Sequence, residues 1–289
     1  MVSKGLILAG GMGTRLWPLT SSVNKHLLPV FDKPMIYYAL SNLMLAGIRR
    51  VGLVTRESDL ELFRALFGDG SRLGIEITYV VQDSPKGIVD GIENASGFIG
   101  TERILVHLGD NFFFGSGVIE ILGRGMLGEV GASVFTYRVQ DTNRFGIAEF
   151  DSDRLMRLVE KPNSTDSNWA LTGAYVLDGE ALELSKQVLV SDRGEREIVD
   201  LLNLYLRLDQ LQHHTLPRGA AWMDLGTLDD FRRASTLVET IQSRQGLLIG
   251  SPEEIAVSKG WASAKDVLSG IPEFAKSDYV ESLKSVIKT

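Results

Sequence analysis

Leu8-Ala9-Gly10-Gly11-Met12-Gly13-Thr14-Arg15-Leu16 places three glycines and an arginine directly after a short apolar run. Glycines in such a loop let backbone N–H groups close around phosphate oxygens, because no Cβ blocks the approach. Arginine adds a planar fork of donors matched to phosphate. The dinucleotide pattern G-x-G-x-x-G is broken: Gly11 and Gly13 fit, but Leu16 holds the last position, and no Gly-Lys-Ser/Thr completes a P-loop. The same residues also read as a tight strand-to-helix turn with a surface arginine. Ten residues on, Lys25 in Lys25-His26-Leu27-Leu28-Pro29 is either a second charge on that side or a solvated lysine before an apolar run. His26 alone says little.

Carboxylates recur where apolar runs end. Asp110 follows Arg103–Leu108 and Gly109, and Asp224 follows Trp222-Met223. Each sits where a strand's carboxyl end opens to ligand, and each would equally cap a turn; spacing does not show that they meet. Glu160-Lys161-Pro162 ends another run, where Lys161 would neutralise a phosphate and Glu160 would accept from hydroxyls, or the two form an ordinary surface pair. Gln82 offers both a donor and an acceptor, as a pyrimidine edge requires, and Gly87 opens the following helix. Trp222 would cover the apolar face of a hexose, or be a buried structural tryptophan.

The elements that must position these residues alternate. Lys4–Ala9, Val51–Thr55, Ile75–Val81, Arg103–Leu108 and Ala132–Arg138 read as strands, separated by helical patterns at Met35–Ala46, Ser58–Phe67, Ile88–Phe98 and Val118–Leu127. Near-continuous apolar strands separated by helices predict a parallel sheet covered on both faces, with ligands at the strands' carboxyl ends. The second half is more mixed. Gly146–Phe150 and Arg154–Val159 read as a strand pair around Asp151–Asp153, with a strand at Thr172–Leu177 and a helix at Glu195–Leu208. Leu211–Leu216 and Ala221–Met223 read as extended, Leu228–Gln245 as helical, and Pro252–Thr289 as helical in short pieces. No repeat or low-complexity linker interrupts the pattern, which predicts one catalytic domain with a helical C-terminal addition.

Composition sets the outer bounds. The 289 residues carry 30 basic and 37 acidic side chains, a net charge of −7, which argues against a nucleic-acid-coating protein. Hydrophobic residues make up 44%, enough for a large core. Cysteine is absent, excluding a disulfide framework, a zinc-thiolate site and a cysteine nucleophile. Glycines at 10 and 11 cut short the first apolar run, so it reads as neither a signal peptide nor a membrane span. A soluble, cytoplasmic protein is expected. Of 30 glycines, 21 fall in residues 1–150, so the first half is where tight turns and close backbone approaches concentrate.

The glycine loop, Lys-x-Leu-Leu-Pro and Lys33-Pro34-Met35-Ile36-Tyr37-Tyr38 together resemble the sugar-1-phosphate nucleotidylyltransferases, nearest to the members that transfer thymidylyl groups. The likeness extends through Ser41–Ile48, Leu66–Gly70, Leu108–Phe114, Glu160-Lys161-Pro162, Thr172-Gly173, Arg193-Gly194-Glu195, Asp224–Thr227 and Ser251–Ala256. It implies an α/β fold with a Rossmann-like mixed, mostly parallel central sheet flanked by helices. Residues 1–240 would form the catalytic domain, 1–110 mainly holding the nucleotide and 111–240 the sugar phosphate, with 241–289 as a helical segment for subunit contact or effector binding. The implied reaction joins dTTP, or alternatively UTP, to a sugar-1-phosphate, with Mg²⁺ held jointly by Asp110 and Asp224. Catalytic roles would fall to Arg15, Lys25, Asp110, Lys161 and Asp224. Leu8, Gly10, Gly11, Gly13, Thr14, His26, Gln82 and Gly87 would complete the nucleotide side. Gly146, Glu160, Leu171, Thr172, Gly173, Arg193, Glu197 and Trp222 would complete the sugar-phosphate side. A homotetramer is implied, with an effector region matched by Gly115, Arg218, Gly219, Ser251, Glu254, Ile255 and Ala256, and no nucleic-acid or membrane partner.

The chain departs from this pattern near the substrates. The usual Gln-x-Ser-Pro-Asp-Gly-Leu-Ala-Gln-Ala is here Gln82-Asp83-Ser84-Pro85-Lys86-Gly87-Ile88-Val89-Asp90-Gly91. His26 replaces a common Gln and Phe145 a common Tyr. Phe114, Ser116 and Ser258 stand at effector-region positions usually Tyr, His and basic, so a weakened effector response is expected. The rival readings are the same chemistry with another nucleotide, a nicotinamide-dependent dehydrogenase, which the broken glycine pattern disfavours, and an inactive nucleotide-sugar-binding regulator, which the intact charged set disfavours.

Overall fold

The computed structural model describes residues 2–83, 86–128 and 131–287. Ser84 and Pro85 of the departing stretch, and Thr289 at the expected helical end, lie outside them. Strands β1 (Lys4–Leu8), β4 (Arg50–Thr55), β5 (Glu76–Val81) and β6 (Ile104–Leu108) form a parallel block in the order β5-β4-β1-β6. Between β1 and β4 the chain makes a small ribbon, β2 (Pro29–Val30) and β3 (Lys33–Pro34), and helix α1 (Ile36–Leu45). Helices α2 (Leu60–Phe67), α3 (Ile88–Asn94) and α4 (Ser96–Ile99) supply the later crossovers. The expected helix over 88–98 is therefore two helices, broken at Ala95, whose backbone leaves the helical region.

Why β1 is apolar on both faces is visible in its neighbours. Leu6 packs with Val54, Val106 and Val89, while Ile7 packs with Leu53, Leu105 and α1, so alternate side chains feed two separate cores. The chain adds β4 and β5 on one side of β1, then returns to place β6 on the other. That reversal is a topological switch point, and in open α/β sheets it leaves a crevice beyond the strands' carboxyl ends. Here the crevice lies between the glycine loop after β1 and Gly109-Asp110 after β6, joined by the bond from Gly109 N–H to the Leu8 carbonyl (2.9 Å).

The second half extends this sheet with antiparallel pairs. After β7 (Asn111–Phe114) and α5 (Val118–Leu127) come β8 (Ala132–Arg138), β9 (Gly146–Asp151), β10 (Arg154–Glu160) and β11 (Trp169–Leu177). Long β11 pairs with β6, β8 and β9, which carries the sheet to nine strands once β12 (Leu211–Thr215) adds in parallel to β8. Helices α6 (Ala181–Ser185) and α7 (Ile198–Arg207) cover one face. The helix expected from Glu195 starts only at Ile198, because Glu197 has extended backbone. That frees Arg193, Glu195 and Glu197 to face the crevice.

Strand β13 (Ala221–Asp224) pairs with β7 in a separate ribbon, so Asp224 lies opposite Asn111. Sequence reading missed β7. Helix α8 (Leu228–Gln245) packs over this ribbon through Ala234 and Val238 against Phe112 and Leu225. The last segment is helical in three pieces: α9 (Pro252–Ser258), α10 (Ala264–Ser269) and α11 (Asp278–Ile287). They pack back on the face that holds α1. Among the described residues, no helix is long and apolar enough to cross a membrane.

Candidate active site

A cleft of about 570 Å³ opens at the switch point. Every nucleotide-side and sugar-side residue expected from sequence borders it except Thr172. That side chain is fully buried and its hydroxyl donates to the Phe135 carbonyl (3.0 Å), because on β11 it points opposite to Leu171 and Gly173. Thr172 is thus a core residue.

On the β1 side the loop folds over Lys25. Gly13 has φ +65°, and a Cβ there would come within 2.9 Å of Lys25 Cβ, so only glycine fits without strain. The short turn Lys25–Leu27 is set by Asn24, whose amide donates to the Ala9 carbonyl (3.1 Å) and to Asp59 (2.8 Å), while its Oδ1 accepts from His26 N–H (2.9 Å). His26 Nδ1 also contacts that oxygen (2.7 Å). Burial, helped by the Lys25 charge, pushes His26 down to about 3. The imidazole is therefore neutral at physiological pH and packs beneath Gly109.

Lys25 forms an ion pair with Asp110, both largely buried. Burial alone would raise the Asp110 pKa; the ammonium of Lys25 outweighs it and holds the carboxyl well below the usual range. Asp224 goes the other way. Burial raises it first, and the neighbouring Asp110 charge raises it further. Its partners are the Gly226 N–H (3.0 Å) and, at 3.5 Å, the guanidinium of exposed Arg15. Two carboxylates thus share one field, which sequence alone could not show. Among the described residues no cluster of three or more His, Cys, Asp or Glu is arranged for a metal. The pair nevertheless fits a hard dication: its donors are carboxylate oxygens, and its unfavourable like charge is what a cation relieves.

Two residues missed from sequence organise the site. Asn111 donates to Asp110 Oδ1 (3.0 Å) and accepts from Gly173 N–H (3.1 Å) and Trp222 Nε1 (2.7 Å). From β7 it ties the turn after β6 to β11 and β13; its position directly after Asp110 was the available signal. Arg144 borders the cleft, paired with Asp230 at 2.6 Å. Trp222 is buried against Phe145, ring centroids 5.0 Å apart, so much of its surface serves packing.

On the opposite wall Arg193 bridges Glu160 (3.0 Å) and Glu197 (3.2 Å), and Lys161 lies 3.2 Å from Glu160. Two cations are therefore held ready by carboxylates, at separations an anionic ligand would re-partition. Gly87 has φ +105°, and a Cβ there would lie 2.4 Å from the Arg196 carbonyl oxygen. Gly87→Ala should lower stability by about 2 kcal/mol or more, since neither the backbone angle nor the backbone neighbour can yield cheaply. Denaturant unfolding with an unchanged midpoint would contradict this.

The expected effector residues fall in two groups. Gly115 packs on Gly219 at one end of the β7–β13 ribbon, beside exposed Arg218. Ser251, Ile255 and Ala256 are buried within the chain, Ser251 capping α9 through its bond from Glu254 N–H (3.2 Å). Glu254 is half-buried.

Residues 4–241 match the sequence profile of the nucleotidyl transferase family. The chain is 45% identical over 285 residues to glucose-1-phosphate thymidylyltransferase of Neisseria gonorrhoeae, covering 98% of this chain and 99% of that one. It is 44% identical over 286 residues to the enzyme of that name from Xanthomonas campestris, covering 99% and 97%. A solved Bacillus anthracis structure assigned to the same activity, in complex with sucrose, superposes with a TM-score of 0.75 at 35% identity, covering 81% of this chain and 94% of that one.

Proposed function

From the chain's membership of the nucleotidyl transferase family, we propose that it transfers a thymidylyl group from dTTP to glucose-1-phosphate, giving dTDP-glucose and pyrophosphate. The observation that carries this reading is a single cleft gathering the glycine loop, Arg15 and Lys25 with Lys161 and Arg193, around two carboxylates. Such a site is suited to bringing two anions together.

A phosphate monoester has its second pKa at about 6, so the attacking group is already largely dianionic at neutral pH and needs no general base. His26, neutral and bonded to Asn24, is not placed as one. An oxygen of the sugar phosphate forms a bond to the α-phosphorus as the α–β bridging bond breaks, and its electron pair leaves with pyrophosphate. Arg15 and Lys25 hold the triphosphate and stabilise the leaving charge. Lys161 and Arg193 hold the attacking phosphate, and Glu160 accepts from sugar hydroxyls. Orientation and charge stabilisation supply the rate. Asp110 and Asp224 would hold Mg²⁺, which when bound neutralises charge on the reacting phosphate.

In this reading residues 1–110 serve mainly the nucleotide and 111–240 the sugar phosphate. Residues 241–289 serve assembly into a cytoplasmic tetramer. The test is pyrophosphate release with glucose-1-phosphate and each nucleoside triphosphate in Mg²⁺. dTTP should give the highest kcat/KM. UTP in first place would move the assignment to a uridylyltransferase. Binding of dTDP-glucose without pyrophosphate from any nucleotide would make the chain a sensor.

A further inference from the structure

Gln82 leaves β5 and is 5% exposed. Its Nε2 donates to Asp90 Oδ2 at 2.6 Å. A carboxylate can only accept, so this contact admits one amide orientation: NH₂ toward Asp90 and carbonyl oxygen away from it. That oxygen lies over the glycine loop, so near that a Cβ on Gly10 would come within 2.6 Å of it. Asp90 is itself fixed, with Asn94 Nδ2 donating to its carbonyl (2.7 Å) and reaching its Oδ2 (3.4 Å) on the next turn of α3. Gly91, beside it, leaves Gln82 uncrowded, since a Cβ there would be 3.8 Å from Nε2. The cleft therefore carries a buried, oriented acceptor at Gln82. With glutamine at position 90, as in the related pattern, either amide orientation would be satisfied.

We infer that Asp90 is a positioning residue that sets which bases the cleft accepts, by locking the Gln82 amide with its oxygen toward the ligand. An acceptor there suits a base whose ring nitrogen carries hydrogen, as N3 of thymine and uracil does. Cytosine presents a lone pair at N3, and two facing acceptors leave both buried and unpaired. The lock does not read the 5-methyl group, so it sorts thymine and uracil together against cytosine. The inference rests on the reading that places Gln82 at the base.

Calorimetric titration of dTDP, dUDP and dCDP tests it without turnover. The wild-type chain should bind dTDP and dUDP at least about tenfold tighter than dCDP, as a site built around a hydrogen bond rejects the analogue that cannot make it. Asp90→Asn, of the same shape but able to donate, releases the amide, and the preference should shrink to within about threefold. Asp90→Ala should do likewise. Because the three ligands share sugar and phosphates, a general folding defect weakens all of them and leaves the ratio unmoved. A wild-type chain that does not favour dTDP over dCDP, or an Asp90→Asn variant that keeps the wild-type ratio, overturns the inference. Absence of pyrophosphate from dTTP alongside the expected binding ratios would sink the proposed reaction alone.

Discussion

Asp110→Asn should reduce turnover by at least about 10³-fold while also destabilising the fold, because one carboxylate serves both purposes. It lies in the turn after β6 at the switch point, accepts from Asn111 and neutralises Lys25 inside the cleft. The substitution removes a proposed cation ligand and leaves a largely buried ammonium without its partner, a loss of the order of 3 kcal/mol. The pH sign follows from a folded pKa held below the unfolded one. The stabilisation is complete above the unfolded pKa and disappears as pH falls through the folded value, so at neutral pH the variant loses all of it. Pyrophosphate release and denaturant unfolding, measured together at pH 7, check both halves. Wild-type turnover would remove Asp110 from the chemistry, and an unchanged unfolding midpoint would remove the Lys25 pair from the stability.

Residues near one another in sequence were legible together. The glycine loop, the parallel strands and the carboxylate after β6 follow from apolar runs, glycines and one charge at a strand end. The closure of the site was not legible from those patterns. Asp224 comes beside Asp110 only because β13 pairs antiparallel with β7, and β7 itself reads as a run of aromatics after a turn, without the polar alternation that marks a half-buried strand. The family likeness implied the meeting of the two carboxylates, whereas the β7–β13 ribbon explains it. Thr172 shows the converse. It stands within a motif of site residues, and the alternation of side chains along β11 sends it into the core while Leu171 and Gly173 face the cleft.

The late start of α7 has the same kind of cause. Glutamates and arginines in 195–208 suit an exposed helical face, so propensity carries the helix through Glu195. The folded chain instead uses Arg193–Glu197 for tertiary contacts: Arg193 bridges Glu160 and Glu197, while Arg196 binds Glu93 on α3. The backbone of Arg196 also bonds the Lys86 carbonyl (2.8 Å). Tertiary pairing overrides local preference there because it joins two segments that border the cleft, the one at Gly87 and the one at Arg193–Glu197.

Asp224→Asn should abolish turnover to a similar degree, yet leave the metal-free fold at least as stable as wild type. Burial and the Asp110 charge raise the Asp224 pKa, so its ionised form is disfavoured in the fold. A folded pKa above the unfolded one gives stability that is present below the unfolded value and lost as pH rises through the folded value. At neutral pH the ionised carboxylate is therefore a cost, and its neutral isostere removes that cost. The compensating contact is weak: Arg15 is exposed and 3.5 Å away, and such pairs contribute roughly 0–1 kcal/mol. Divalent cation supplies the second readout. Mg²⁺ should raise the wild-type unfolding midpoint by the linkage of binding to folding, and raise that of Asp224→Asn far less. Opposite stability changes with the same catalytic loss would separate a residue that neutralises a buried lysine from one that waits for a cation. If Asp224→Asn proves as destabilising as Asp110→Asn, or gains as much from Mg²⁺ as wild type, that division of labour between the two carboxylates is wrong.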